Sequence, residues 1–302
     1  MRAATGGGKV MKTWIALLTS LLLIGCAAAP PRAPHAAAAF DDALFAPLPA
    51  LPDAAALMAM TPPMRRFLDE RVRPRARRRG ERQALLDALA TPGELLLAYE
   101  AQPTRTAAEA FAERRGNCLS LVLMTAALAR ELGVPVRLHE VLAAPTIEHS
   151  GDLTFIVGHI NLALGIELRR TFRGFDPWLI VDFLPGQDLS RQQRQVVDER
   201  RVAAMFMNNR AAEEMLQGRP REAYAWLRGA YAQDAGFAPL FNTLGVLYRH
   251  QGAFAQAERA LRTALTLDPK DAHARKNLEL LQRLHLALPQ GQEPAPADAV
   301  AS

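Results

Sequence analysis

The chain of 302 residues is short of several things. It has two cysteines, Cys26 and Cys118, which rules out a disulfide framework. Aromatic residues make up 6%, low for a β-sandwich core, so the Ala- and Leu-rich composition favours helices. Only four of the 36 basic residues are lysines (Lys9, Lys12, Lys270, Lys276), so the net charge of +5 rests on arginine, part of which GC-rich coding explains. No apolar run reaches the roughly 18 residues of a spanning helix, which excludes a polytopic membrane protein. With half the residues hydrophobic the chain is not disordered, and at about 150 residues per domain it has room for two modest domains.

The amino terminus carries a signal pattern. Residues 1–10 precede a second start, Met11 and Lys12, which we take as the true beginning. An eleven-residue apolar core at 14–24 then leads to Gly25 and Cys26, so residues 1–25 read as a signal peptide. Leu23, Ile24, Gly25 and Cys26 resemble a bacterial lipobox. That resemblance implies lipid on Cys26 and, with Ala at 27 in place of Asp, the periplasmic face of the outer membrane. An ordinary secretory signal cut near Ala29 is the alternative. Residues 26–59, which begin rich in Ala and Pro, read as a tether.

Lipid on Cys26 leaves Cys118 as the lone thiol in an oxidising compartment, either a reactive group or a small buried hydrophobe. Export also separates the chain from nucleic acid. Residues 40–100 look helical, broken at Pro62, Pro63, Pro74 and Pro92. Nine arginines between Arg65 and Arg82 form either a patch for anionic lipid or glycan, or a solvated basic loop between helices.

A helix is expected up to Arg115 and another over 118–132, stopped by Gly133 and Pro135. Four apolar or alternating segments follow at 134–142, 154–164, 166–172 and 178–183, which predict an antiparallel sheet on the helices, hence α+β. From about Met205 the pattern is helical and repeats at 34 residues, aligning Asn208 with Asn242, Gly218 with Gly252 and Leu227 with Leu261. Residues 205–286 thereby resemble tetratricopeptide repeats, two copies with a capping helix at 271–286, before a tail at 287–302 with no core. Two repeats fall below the usual three, so the array is expected to lean on the preceding domain. Asn208 and Asn242 are placed on a groove that takes a protein or peptide partner.

Chemistry centres on Cys118, in RRGNCLSLVLM at the start of its helix, where unpaired amides and the dipole favour a thiolate. A nucleophilic thiol also needs a base, and a group to orient the base. His159 in GHINLAL and Asp182 in WLIVDF follow at gaps of 41 and 23 residues, on strands that an antiparallel sheet makes neighbours. Together these segments are similar to the core of the transglutaminase-like superfamily, a papain-like α+β fold, over residues 60–200. The resemblance implies Cys118 as nucleophile, His159 as general base and acid, and Asp182 as the orienting carboxylate. It departs from many active members in following the histidine with Ile160, Asn161 and Leu162 rather than an aromatic residue and a Glu.

Other candidates are weaker. Asn161 shares a strand face with His159 and either assists it or is structural. His139 is expected at the surface, and Asp176, before Pro177, reads as a turn residue. His149, Glu148 and Asp152 lack metal-ligand spacing, so neither metal nor cofactor is expected. The leading expectation is a cysteine hydrolase or acyltransferase acting on amide bonds of proteins or peptides, with repeats that recruit a partner. The alternatives are an inactive scaffold of the same fold, and a purely structural chain with Cys118 in its core.

Overall fold

The computed structural model describes residues 34–92, 95–150, 153–166, 176–184 and 193–287. The expected signal peptide, Cys26 and the tail from 288 on lie outside them. One helical turn, Pro34–Ala37 (α1), precedes an irregular stretch that contains 3-10 turns at Asp42–Leu44 and Ala54–Met58. Residues 26–59 were expected to form a tether, but from residue 36 the chain is docked: Ala36, Ala39, Phe45 and Leu57 are buried in the common core. Ala and Pro dominate this composition, yet Phe40, Phe45 and Leu57 supply enough apolar area to fix it.

Proline opens helices here rather than breaking them. Pro62–Phe67 (α2) starts on two prolines behind Thr61, whose hydroxyl accepts the Met64 N–H, and the amides missing from proline are unpaired in any first turn. A π turn, Leu68–Val72, continues into Arg73–Arg79 (α3), with Pro74 at its start. The wide turn absorbs a residue that cannot donate. The basic segment is therefore helical and not a loop. Arg65, Arg73 and Arg79 pair with Glu131, Asp69 and Asp87. Glu81–Ala90 (α4) follows, and its Arg82 donates to the carbonyls of Leu164 and Pro177.

Two short parallel strands, Ala98–Tyr99 (β1) and Arg115–Gly116 (β2), flank Ala107–Glu113 (α5), which opens on a reciprocal Thr106/Glu109 cap. Cys118–Glu131 (α6) is capped by Asn117 and ends at Gly133, φ +77°. The main sheet is antiparallel, in the order β5-β4-β3-β6, from Val136–Ser150 (β3), Leu153–Leu164 (β4), Leu179–Val181 (β5) and Arg194–Val197 (β6). The last strand had no counterpart among the expected ones, and most of the one expected at 166–172 lies outside the described residues. Alternation along β4 puts Ile160, Leu162 and Leu164 into the core shared with α6, and turns His159, Asn161 and Ala163 to the other face.

Five helices complete the described residues: Glu199–Leu216 (α7), Pro220–Gln233 (α8), Ala238–His250 (α9), Phe254–Leu267 (α10) and Ala272–Ala287 (α11). Gly218 and Gly252 end α7 and α9 at φ +67° and +72°, so the repeat preserves a left-handed turn that favours glycine. At Gly245 an added Cβ would lie 2.6 Å from Leu261 Cγ, which is why α9 and α10 can approach so closely.

As expected of a short array, the repeats lean on the rest of the chain, and the described residues form one compact unit. Glu213 of α7, 6% exposed, accepts the Thr104 N–H at 2.6 Å and pairs with Arg210 at 2.7 Å. Burial raises its carboxyl above the usual range, against the pull of Thr104 and Arg210. Glu213→Ala leaves the buried Thr104 amide without its acceptor and is expected to cost about 1–3 kcal/mol in urea unfolding of the whole chain. Glu213→Gln, which keeps an acceptor, is expected to cost less than half as much; equal losses would refute that role for the bond.

Candidate active site

Cys118 sits at the first position of α6 because Asn117 ends the extended approach and caps the helix. The Asn117 Oδ1 accepts the Ser120 N–H at 2.9 Å and its hydroxyl at 2.8 Å. Its amide NH2 donates to Thr104 Oγ1 at 2.8 Å and to the Ala101 carbonyl at 3.3 Å. Before it, Gly116 leaves no room for a side chain, since a Cβ there would meet Ser120 Cβ at 2.6 Å. The sulfur thus stands at a helix end with unpaired amides and positive dipole charge. Cys118 is unpaired and 4% exposed.

His159 and Asp182 arrive from neighbouring strands. Leu162 pairs with Val181, so Asp182, one residue past β5, falls beside Asn161 on the face that carries His159. The loop before β5 is held by Arg82 on the Pro177 carbonyl and by the Arg137 guanidinium, 3.9 Å above the Trp178 ring. Asp176 accepts the Trp178 N–H at 3.0 Å and serves as a turn residue.

The structure brings Cys118, His159 and Asp182 together. His159 Nε2 lies 2.8 Å from Asp182 Oδ2, which also accepts from Asn161 Nδ2 at 3.1 Å, while Oδ1 accepts the Leu184 N–H at 2.9 Å. Burial pulls the imidazole down, but hydrogen bonds with Asp182 and with the Cys118 thiol outweigh it and push His159 up to about 9. Burial likewise pushes the Asp182 carboxyl up, and His159, the Leu184 amide and Asn161 together hold it below its ordinary value. With Nε2 committed to Asp182, Nδ1 is the nitrogen left to exchange a proton with sulfur.

Other expected positions fall differently. His139 is 8% exposed, not at the surface. It pairs across β3 and β4 with Asn161, and burial, with Asn161 opposing and Arg194 and Arg137 assisting, lowers its basicity. Alternation gave the wrong answer because this face is closed at His139, Asn161 and His159, although Val196 beside them on the edge strand is open to solvent. Asn208 and Asn242 are each 5% exposed, and Asn242 accepts from Asn277 of α11 at 2.8 Å, so both sit between helices rather than along an open groove. The side chains of Glu148 and His149, and Asp152 as a whole, lie outside the described residues. The network from Asn117 through Thr104 to Glu213 was not foreseen, although Asn before a helix start is a readable cap signal.

The raised His159 makes the fold bind a proton that the unfolded chain releases. Its contribution to stability is fully present below about 6.5 and is lost as pH rises through about 9. Asp182, held low, contributes above the ordinary carboxylate range and fades as pH falls through its folded value. The urea midpoint is therefore expected to fall between pH 6.5 and 9 in the native chain and to stay flatter in His159→Ala. An equal slope in both would remove His159 as the cause.

Residues 214–284, from the last turn of α7 into α11, match the model of the tetratricopeptide repeat family. Repeats of that family point to protein–protein interaction. No curated protein and no solved structure matches the chain.

Proposed function

We propose that this chain is an envelope-anchored lipoprotein, lipidated at Cys26 and facing the periplasm from the outer membrane. In this reading residues 60–200 form a transglutaminase-like cysteine hydrolase or acyltransferase acting on amide bonds of proteins or peptides, and the repeats recruit its partner. The observation that carries the reading is His159, held in a buried site between the Asp182 carboxylate and the Cys118 thiol. An imidazolium at neutral pH beside the sulfur is the charge arrangement that activates a cysteine nucleophile.

Cys118 thiolate attacks the amide carbonyl, forming an S–C bond, while the first-turn amides of α6 receive the developing oxyanion. His159 passes its Nδ1 proton to the leaving nitrogen as the C–N bond breaks, leaving a thioester. Water or an amine then attacks the thioester and gives its proton to His159, and the C–S bond breaks to restore the thiolate. Asp182 holds the ring and balances its charge throughout. Hydrolysis is favoured over cross-linking because water needs no dedicated acceptor site.

A second reading, an inactive scaffold of the same fold, has one observation in its favour. At 4% exposure Cys118 is buried enough to be a core residue. Labelling by iodoacetamide between pH 5 and 9 separates the two. Activated cysteine predicts fast labelling at the acid end that drops at least tenfold in His159→Ala and falls in Asp182→Ala. Slow labelling, indifferent to His159, would overturn the enzyme reading and leave the scaffold.

A further inference from the structure

Residues 36–51 occupy a groove formed by α8, α9 and α10, and they lie there as a bound peptide does. Beyond α1 and one 3-10 turn the backbone is irregular, and burial is confined to a few anchors. Ala36, Ala39 and Phe45 are buried and Phe40 partly so, while Leu44 is 49% and Leu48 38% exposed. The Phe45 ring stacks on Tyr224 at 4.3 Å. Phe40 meets Tyr224 and Phe241 edge-on, with the Arg228 guanidinium 4.8 Å above it.

Between the two rings the acidic pair is gripped separately. Asp42 accepts from the Tyr224 hydroxyl at 2.8 Å and pairs with Arg228 at 3.2 Å. Asp41 accepts from Gln256 at 3.2 Å, and its own N–H donates to the Tyr248 hydroxyl at 2.8 Å. Arg221 donates to the carbonyl of Ala46 at 2.9 Å. Two rings five residues apart, one carboxylate held by an arginine and its neighbour by a glutamine, and a carbonyl clamp amount to a recognition pattern.

We propose that this groove is a binding site for partner segments of the pattern aromatic–acidic–acidic–x–x–aromatic, and that residues 40–45 are its resident occupant, displaced when a partner protein presents the same pattern. The grip is short and mostly side chain, so it opens locally at less cost than the helices beneath it. Covalent attachment keeps the resident segment at a high effective concentration, on the order of millimolar, and an incoming peptide must compete with that. The proposal rests on the repeats being an interaction module and is independent of Cys118.

The test uses the full chain and a fluorescein-labelled peptide copied from residues 36–51, followed by anisotropy. Phe40→Ala with Phe45→Ala releases the resident segment and is expected to tighten peptide binding at least tenfold over the native chain. Adding Arg228→Glu, or removing the two acidic side chains from the peptide, is expected to weaken that binding at least tenfold. In the native chain the amides of residues 39–46 are expected to exchange with deuterium at least tenfold faster than those of α9. No saturable binding to the released variant, with helicity and Cys118 labelling as in the native chain, overturns the proposal and leaves the triad reading standing. Should the released variant fail to fold, exchange in the native chain decides alone. Residues 39–46 protected as strongly as α9 would make the segment a permanent part of the core.

Discussion

The side-chain amide of Asn117 is the constraint on which the rest of this molecule hangs. A helix start leaves several N–H groups unpaired, and an asparagine cap ordinarily answers one of them for about 1 kcal/mol. Here the same side chain also takes the Ser120 hydroxyl and reaches back to Thr104 and Ala101. Ser120 in turn accepts the Arg105 N–H at 2.8 Å. The turn that carries Cys118 is therefore tied to residues 101–105, and Thr104 is tied through its own N–H to Glu213 of the repeats. The position of the sulfur is set here by a chain of buried polar bonds that reaches into the repeats.

Buried polar chains of this kind are costly unless every member is answered. Arg105 shows how the cost is met beside the site. Its side chain is 7% exposed, between Glu100 at 2.7 Å and Glu113 at 2.9 Å, and their attraction outweighs desolvation and raises its basicity. His159 and Asp182 follow the same rule: burial works against the charge of each, and for each the other is the first of the hydrogen-bond partners that outweigh it. Charge at this site is thus a property of the pair and its neighbours, not of either residue.

What could be read in the sequence follows from how local each signal is. The end of α6 was legible because Gly133 and Pro135 act on their own neighbours. The common face of His159, Asn161 and Asp182 was legible because strand alternation and antiparallel pairing are simple periodicities. His139 was misplaced because alternation says which residues share a face, not whether that face is covered. The docked stretch from residue 36 was hidden by an Ala/Pro composition, in which two phenylalanines five residues apart outweigh everything between them. The bond from Glu213 to Thr104 spans 109 residues, and no pattern in one sequence encodes such a partner.

Two helix pairs cannot bury all their own faces, so a short array must borrow its covers. This one has three. The capping helix α11 supplies one, through Ala274, Leu281 and the Asn277–Asn242 bond. The sheet-bearing part supplies the second, through Glu213 and the packing of α7 on β3 and β4. Residues 36–51 supply the third with two rings and a handful of polar bonds. The first two are made of regular elements and buried polar bonds, whose removal exposes extended apolar surface. The third leaves most of its own side chains in water. Since local opening follows the least buried contact, the array gives first on the side facing α8, α9 and α10, and keeps its hold on the α6 start while it does so.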